Sequence, residues 1–248
     1  MKTLILMAYF NRERMVRLAL ESVKLSEGDW ELAFVDDGSN VPGEDIVREM
    51  FSPEQFREQI TCYNTHDSVE AKEARGGSRF GEFWNHAMKN SNADIGIMLC
   101  DDDALFPGYL DGLSSYYQEN EDIVYSYSHL SAYDPKVYYN SVNDVPFNLE
   151  FFNTAIPPML TPINAGPTPI IPSCRVDSSQ VSWRLPEINE DGITFPSPQT
   201  ADLDASFYEV LFDHYGYCVY NGLISQFKGW HTDQMGNRRT ALYDLRDV

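Results

Sequence analysis

Basic residues are scarce in this sequence. Eighteen Lys and Arg stand against 38 Asp and Glu, a formal charge of −20 over 248 residues. So negative a surface repels polyphosphate, which argues against a nucleic-acid partner. A small anionic ligand stays compatible if a divalent cation neutralises it locally. Cysteine is sparse too: Cys62, Cys100, Cys174 and Cys218 are far apart and form no CxxC pair. A zinc site or disulfide framework is therefore not expected, and a reducing cytoplasm fits. Long apolar runs are missing as well. The stretch Leu4 to Phe10 is too short to span a bilayer, and Asn11-Arg12-Glu13-Arg14 closes it at once. Lys2 gives a faint signal-peptide likeness, but no small-residue cleavage site follows. The expectation is a soluble cytoplasmic protein with no transmembrane segment. No internal repeat is visible.

What is present reads as an α/β protein. Hydrophobic residues make up 43% and aromatics 13%, enough for a sizeable core. Thr3 to Ala8 is apolar without alternation, as in a strand buried on both faces. Residues 12–25 change to helical spacing, with Met15, Leu18, Ala19 and Val23 on one side. Trp30 to Val35 returns to strand and ends at Asp36-Asp37-Gly38-Ser39. Strand, helix, strand predicts a right-handed βαβ unit, whose ligands bind beyond the carboxyl ends of the strands. The pattern further predicts a helix over Gly43 to Met50, a strand over Ile60 to Tyr63 and a polar loop over 64–78. Phe80, Phe83, Trp84, Ala87 and Met88 predict an amphipathic helix. Asp94 to Cys100 reads as another buried strand, with Pro107 at the first position of the next helix. Residues 121–176 read as short strands and loops that continue the same sheet. A late helix carries Leu203, Phe207, Val210 and Leu211 and ends at Gly216. Tyr217 to Tyr220 is expected as a strand and 221–248 as a polar tail. The expected organisation is one domain over 1–220, with a ligand-binding half over 1–120 and a second half over 121–220. The tail over 221–248 would close over the site.

The sharpest chemical feature is Asp101-Asp102-Asp103 at the end of a buried strand. Three adjacent carboxylates repel one another unless something positive sits between them. Hard oxygen ligands suit Mg²⁺ or Mn²⁺, and such an ion can bridge to a diphosphate. A solvated acidic turn is the alternative.

Three motifs in order resemble the GT-A glycosyltransferases, especially the large inverting family 2. They are Leu4 to Arg12 (a hydrophobic strand, then Tyr-x-Asn-Arg), Ala33-Phe34-Val35-Asp36-Asp37-Gly38-Ser39, and the acidic triplet. The triplet is preceded by a helix carrying Asn85 and followed by Pro107-Gly108-Tyr109-Leu110. The resemblance implies a Rossmann-like GT-A fold, a mixed central sheet flanked by helices. It implies a metal-dependent transfer from a UDP-sugar to a saccharide or other hydroxyl acceptor, with inversion and with Mn²⁺ or Mg²⁺ as cofactor. Ala8, Tyr9, Asn11 and Arg12 would border the nucleotide. Asp36 would accept from the base edge and Asp37 would support that loop, the rival being a turn held by Asx hydrogen bonds. Arg79 or Arg75 would face the diphosphate. Asp101 and Asp103 would form the Asp-x-Asp, with Asp103 the direct metal ligand, Asp101 nearer the ribose and Asp102 beside them.

The resemblance also supplies candidates for the acceptor side. The family places an acidic pair before a late helix, and here Asp202-Leu203-Asp204 stands there. Either aspartate would be the general base, Asp204 being favoured by its spacing to Gly216; a helix N-cap is the alternative. His231 would be a further metal ligand, or merely structural. Gln180 and Trp183 would border the donor sugar or acceptor, unless Trp183 is core. The sequence departs from the family at Ala8, where proline is common, and at Trp84-Asn85, where Arg-Asn is usual. A homo-oligomer is possible. Two other readings stay open: a nucleotidyltransferase, which lacks its Gly-rich loop here, and a noncatalytic nucleotide- or sugar-binding protein of the same fold.

Overall fold

In the computed structural model, residues 1–132, 169–172, 176–197 and 203–228 are described. The unbroken apolar runs become strands with both faces covered. Strands β1 (Lys2–Tyr9), β2 (Asp29–Asp36), β3 (Ile60–Asn64) and β4 (Ile95–Cys100) lie parallel in the order β3-β2-β1-β4. Because side chains alternate along a strand, Leu4, Leu6, Ala33, Val35 and Met98 fall on one face. Ile5, Met7, Leu32, Phe34, Ile97 and Leu99 fall on the other.

Helices α1 (Glu13–Leu25), α2 (Gly43–Met50) and α3 (Pro53–Gln59) follow the first two strands. The apolar sides of α1 and α2 join the second cluster, through Val16, Ala19, Leu20, Ile46 and Val47. On the first face lies α5 (Phe80–Asn90), which contributes Trp84, Ala87 and Met88. The helices over Gly43–Met50 and Phe80–Asn90 are where the spacing placed them.

Beyond β4 the sheet becomes mixed. It continues through β7 (Val181–Arg184), β6 (Tyr125–Ala132), β8 (Val219–Lys228) and β5 (Asp103–Leu105), with β4–β7, β7–β6 and β8–β5 antiparallel and β6–β8 parallel. Although β5 follows β4 almost at once in sequence, it sits at the far end of the strand order. It reaches back to α1, where Ser22 Oγ accepts from Leu105 N at 2.9 Å. The sheet therefore curls, and Asp103 opens its last strand. Helices α6 (Tyr109–Glu119), α7 (Leu185–Glu190) and α8 (Leu203–Tyr215) complete the layers, and Gly216 at φ 79° ends α8 as expected.

Three local expectations need correction. Residues 69–75 of the expected loop form α4 (Val69–Arg75), capped by Ser68 at its start and by left-handed Gly76 at its end. The helix buries no residue, so no apolar periodicity announced it. Helix α6 starts at Tyr109 and not at Pro107, because Gly108 takes a left-handed φ of 75° before it. Residues 219–228 of the expected strand and tail form one ten-residue strand, β8. Its buried members Ser225 and Gln226 are polar, which hid it from a hydrophobic reading. Residues 229–248 lie outside the described residues. Among those described, no helix is long and apolar enough to cross a membrane.

The join between β4 and β7 depends on one missing side chain. Gly96 pairs with Trp183 across the two strands, and a Cβ on Gly96 would stand 2.2 Å from the indole Nε1. Gly96→Ala must displace a fully buried ring, so we expect a loss of about 1–3 kcal/mol, typical of overpacking. Denaturant unfolding of the two proteins measures it.

Candidate functional site

Chain direction puts the carboxyl ends of β1, β2 and β4 at one edge, and each ends in polar residues. After β1, Asn11 has a left-handed φ of 55°, which asparagine tolerates better than most residues. Its Oδ1 accepts from Asn40 N at 2.8 Å and its own N–H donates to Ser39 Oγ at 3.1 Å. The first loop is thereby stapled to the second.

The pair after β2 divides its work. Asp36 is 2% exposed. Its Oδ1 accepts from Ser39 N at 2.8 Å, and its Oδ2 accepts from Gly43 N at 2.8 Å and Asn64 Nδ2 at 3.3 Å. It thus fastens the turn and the start of α2. Gly43 permits this by packing against Phe34 and Tyr9, where a Cβ would come within 2.5 Å of the Phe34 ring. The base-edge role expected of Asp36 would have to be added to these bonds at a side chain that is already enclosed. The rival reading, a turn held by Asx-type bonds, describes this geometry. Asp36→Ala should therefore destabilise the fold by about 1–3 kcal/mol, the cost of stranded buried donors, and thermal melting should register it without any ligand.

Asp37 is held differently. Its Oδ1 accepts from Ser78 Oγ at 2.5 Å and Thr65 Oγ1 at 3.2 Å, and its Oδ2 pairs with Lys72 Nζ at 2.8 Å. The Lys72 ammonium also donates to the Asp37 carbonyl and lies 3.8 Å from the centre of the Phe10 ring. Lys72 was missed in the sequence because α4 was read as loop. Arg75 pairs with Asp67 at 2.5 Å, and Arg79, just before α5, lies near Glu82 at 3.6 Å.

The acidic triplet after β4 splits into two environments. Arg12 Nη1 lies 2.8 Å from Asp101 Oδ1 and 3.1 Å from Asp102 Oδ2. Asp101 Oδ2 also accepts from Phe10 N at 3.2 Å. Burial alone lowers the Arg12 pKa, but Asp101 and Asp102 outweigh it and the guanidinium stays charged. Burial raises the Asp101 carboxyl and Arg12 pulls it back only in part. The positive charge required between these carboxylates is therefore the chain's own Arg12. Asp101, expected at the metal and the ribose, is committed to that pair here.

Asp103 takes another path. It is 1% exposed on β5, and its carboxylate lies with Cys100 Sγ and the Asp177 carboxylate, ligand atoms all within 4.8 Å of one another. Asp177 is fixed by a reciprocal cap: its side chain accepts from the Gln180 backbone N–H, and Gln180 Oε1 accepts from Asp177 N at 2.7 Å; Gln180 Nε2 also donates to Ser128 O at 2.7 Å. Gln180, expected to border the donor sugar or acceptor, is buried and holds Asp177 in place. Trp183 is 0% exposed and packs on Phe207 at 5.2 Å, as the core alternative describes. Neither Asp177 nor Cys100 carried a recognisable motif.

Asp204 stands in the first turn of α8, half-buried, with Oδ1 accepting from Ala205 N at 2.9 Å. One turn later Tyr208 donates to Ser178 O at 2.7 Å. Burial raises the Tyr208 pKa well above the usual phenol value, and the charges of Asp204 and Asp177 raise it further. Tyr208 thus ties α8 to the turn that follows Asp177. Asp202 and His231 lie outside the described residues.

The family model for glycosyl transferase family 2 matches residues 4–178. No curated protein sequence matches the chain significantly. Among solved structures, TarS 1–349 of S. aureus in complex with UDP is similar at a TM-score of 0.65 and 13% identity, over 94% of this chain and 62% of that one. The mannosyltransferase PcManGT of Pyrobaculum calidifontis, in complex with GDP-Man and Mn²⁺, gives 0.57 and 12% over 96% and 59%. Glucosyl-3-phosphoglycerate synthase of Mycobacterium tuberculosis, in complex with Mn²⁺, UDP and phosphoglyceric acid, gives 0.51 and 14% over 92% and 69%. The chain thus spans less than two thirds of the TarS and PcManGT chains it matches. These likenesses show the fold, which is GT-A.

Proposed function

Because the chain belongs to glycosyl transferase family 2, we propose that it transfers a sugar from a UDP-sugar to a hydroxyl acceptor, with metal dependence and inversion. The observation that carries this reading is the meeting, at one sheet edge, of a polar cradle from three parallel strands and a partly buried Cys100–Asp103–Asp177 group. Nucleotide sugars bind beyond the carboxyl ends of such strands. Ala8 and Asn11 border the nucleotide while the buried Tyr9 ring packs on Phe34 between them in sequence, and Asp37 with Lys72 and Phe10 faces its base. Arg79, partly exposed just before α5, meets the diphosphate. Asp101 and Asp102 with Arg12 form the floor.

Asp103 is the carboxylate assigned to Mn²⁺ or Mg²⁺, and the oxygen donors beside it fit such an ion. The chemistry a bound cation supplies there is neutralisation of the departing diphosphate. Asp204 accepts the proton of the acceptor hydroxyl as it attacks the anomeric carbon. Its half-buried place in the first turn of α8, one turn before Tyr208, supports that role. Asp202 and His231 keep the roles the resemblance gives them, as a second candidate base and a further ligand.

Inversion is tested by resolving the anomers of the earliest product by NMR. An α-linked donor should yield a β-linked product, and a retained anomer would contradict the mechanism.

A further inference from the structure

A general base works at a fixed distance from the proton it takes, so something must set where α8 stands against the strand ends. Apolar packing does this loosely, because it is non-directional. The inner side of α8 packs in that way, through Leu203, Phe207 and Leu211, with the Phe207 ring stacked on Phe195 at 4.0 Å. Such contacts permit small slides and turns of the helix. A hydrogen bond has both a length and a direction, and Tyr208 supplies one. It is 1% exposed and donates to Ser178 O at 2.7 Å.

The acceptor of that bond belongs to a rigid support. Ser178–Gln180 is a short 3₁₀ turn, closed at its start by the capping box of Asp177 and Gln180. Ser179 Oγ accepts from Cys100 N on β4 at 3.2 Å. Gln180 Nε2 donates to Ser128 O on β6 at 2.7 Å, and Gln226 Nε2 on β8 donates to Asp177 Oδ1 at 3.0 Å. Since Cys100 immediately precedes Asp101, the turn is fastened to the edge that carries the acidic triplet. On the other side of the bond, Tyr208 and Asp204 are four residues apart on one face of α8, about 6 Å along its axis. Burial, helped by the charges of Asp204 and Asp177, keeps the phenol protonated, so it remains a donor at neutral pH.

We propose that Tyr208 is a positioning residue: its bond to Ser178 holds the Asp204 carboxylate at working distance from a sugar bound beyond β1, β2 and β4. This rests on the reading of Asp204 as the base, and adds to it the residue that sets its place. Tyr208 acts through Asp204 and takes no proton itself. The acceptor proton goes to Asp204, the new bond forms at the anomeric carbon, and the bonding pair to the old oxygen leaves with the diphosphate.

The test uses the full chain. Tyr208→Phe keeps the ring in the core and removes only the hydroxyl. Misplacing a reacting group by about 1 Å costs on the order of 100-fold, so kcat for UDP release from a UDP-sugar should fall by about 10- to 100-fold. KM for the donor should stay at its wild-type value. Tyr215→Phe is the control: it removes a hydroxyl bond to Asp191 at the far end of the same helix and should leave kcat unchanged. In an Asp204→Asn background Tyr208→Phe should have no further effect, because residues that act as a unit are not additive. Hydrogen exchange gives a readout without turnover. The amides of Phe207 to Leu211 should exchange about tenfold faster in Tyr208→Phe, while those of β1 and β4 keep their rates. Unchanged exchange in α8 overturns the proposal, and so does a wild-type kcat in Tyr208→Phe. Equal factors for Tyr208→Phe with and without the Asp204 carboxylate overturn it too. Normal turnover in Asp204→Asn, by contrast, contradicts the base assignment, and faster exchange in Tyr208→Phe would leave the hold on α8 standing.

Discussion

Asp103→Ala is expected to abolish turnover and the cooperation between Mn²⁺ and UDP. A UDP diphosphate brought to a buried carboxylate cluster adds negative charge to negative charge, and one cation relieves both repulsions. Metal and nucleotide should therefore bind with positive coupling of about 1–3 kcal/mol. By reciprocity, UDP must tighten the metal to the same degree. Calorimetric titration of UDP into wild type and variant, each with Mn²⁺ and with chelator, measures the coupling. Only the wild type with Mn²⁺ should show the tighter affinity. Asp103 is buried, so Asp103→Asn serves as the companion variant that keeps its volume. Equal affinities in all four titrations would leave the acidic residues a structural turn.

The second large effect is expected at Asp204. Removing a general base costs about 10²–10⁴-fold in rate, so Asp204→Asn should transfer sugar that much more slowly. Its UDP affinity should match wild type, because the residue stands on α8 and outside the nucleotide cradle. If Asp204→Asn transfers normally while Asp202→Asn does not, the base is Asp202. If both transfer normally, the proton goes elsewhere or the anomer is retained.

The parallel half of the fold was legible because its strands are buried on both faces and its main helices have one apolar side. The runs at Leu4 to Ala8 and Trp30 to Val35 and the stripe from Phe80 to Met88 carry that information directly. Helix α4 was not legible, since it buries nothing and only Ser68 and Gly76 mark its ends. Strand β8 was not legible because its buried positions include Ser225 and Gln226, which serve neighbours and not the apolar core.

The site was legible in the same uneven way. Sequence reasoning saw that the triplet Asp101 to Asp103 needs a positive charge. It could not see that Arg12, 89 residues from Asp101, supplies it to two of the three. Nor could spacing show that Asp103 parts from its neighbours to join Asp177, since that follows from β5 crossing to the far end of the sheet. Asp36 fastens its own loop through backbone donors that no motif displays, the turn alternative that its motif left open.

The central claim is that this edge of the sheet activates a nucleotide sugar. Its most direct measurement is nucleoside diphosphate release from a panel of UDP-, GDP- and ADP-sugars, with Mn²⁺ and with chelator. Glycosyltransferases commonly leak donor to water, so no acceptor need be known. The account predicts Mn²⁺-dependent release of UDP from at least one UDP-sugar, and loss of that release in Asp103→Ala. Tight, Mn²⁺-dependent UDP binding with no release from any donor would contradict it and mark the chain as a binding protein of the same fold.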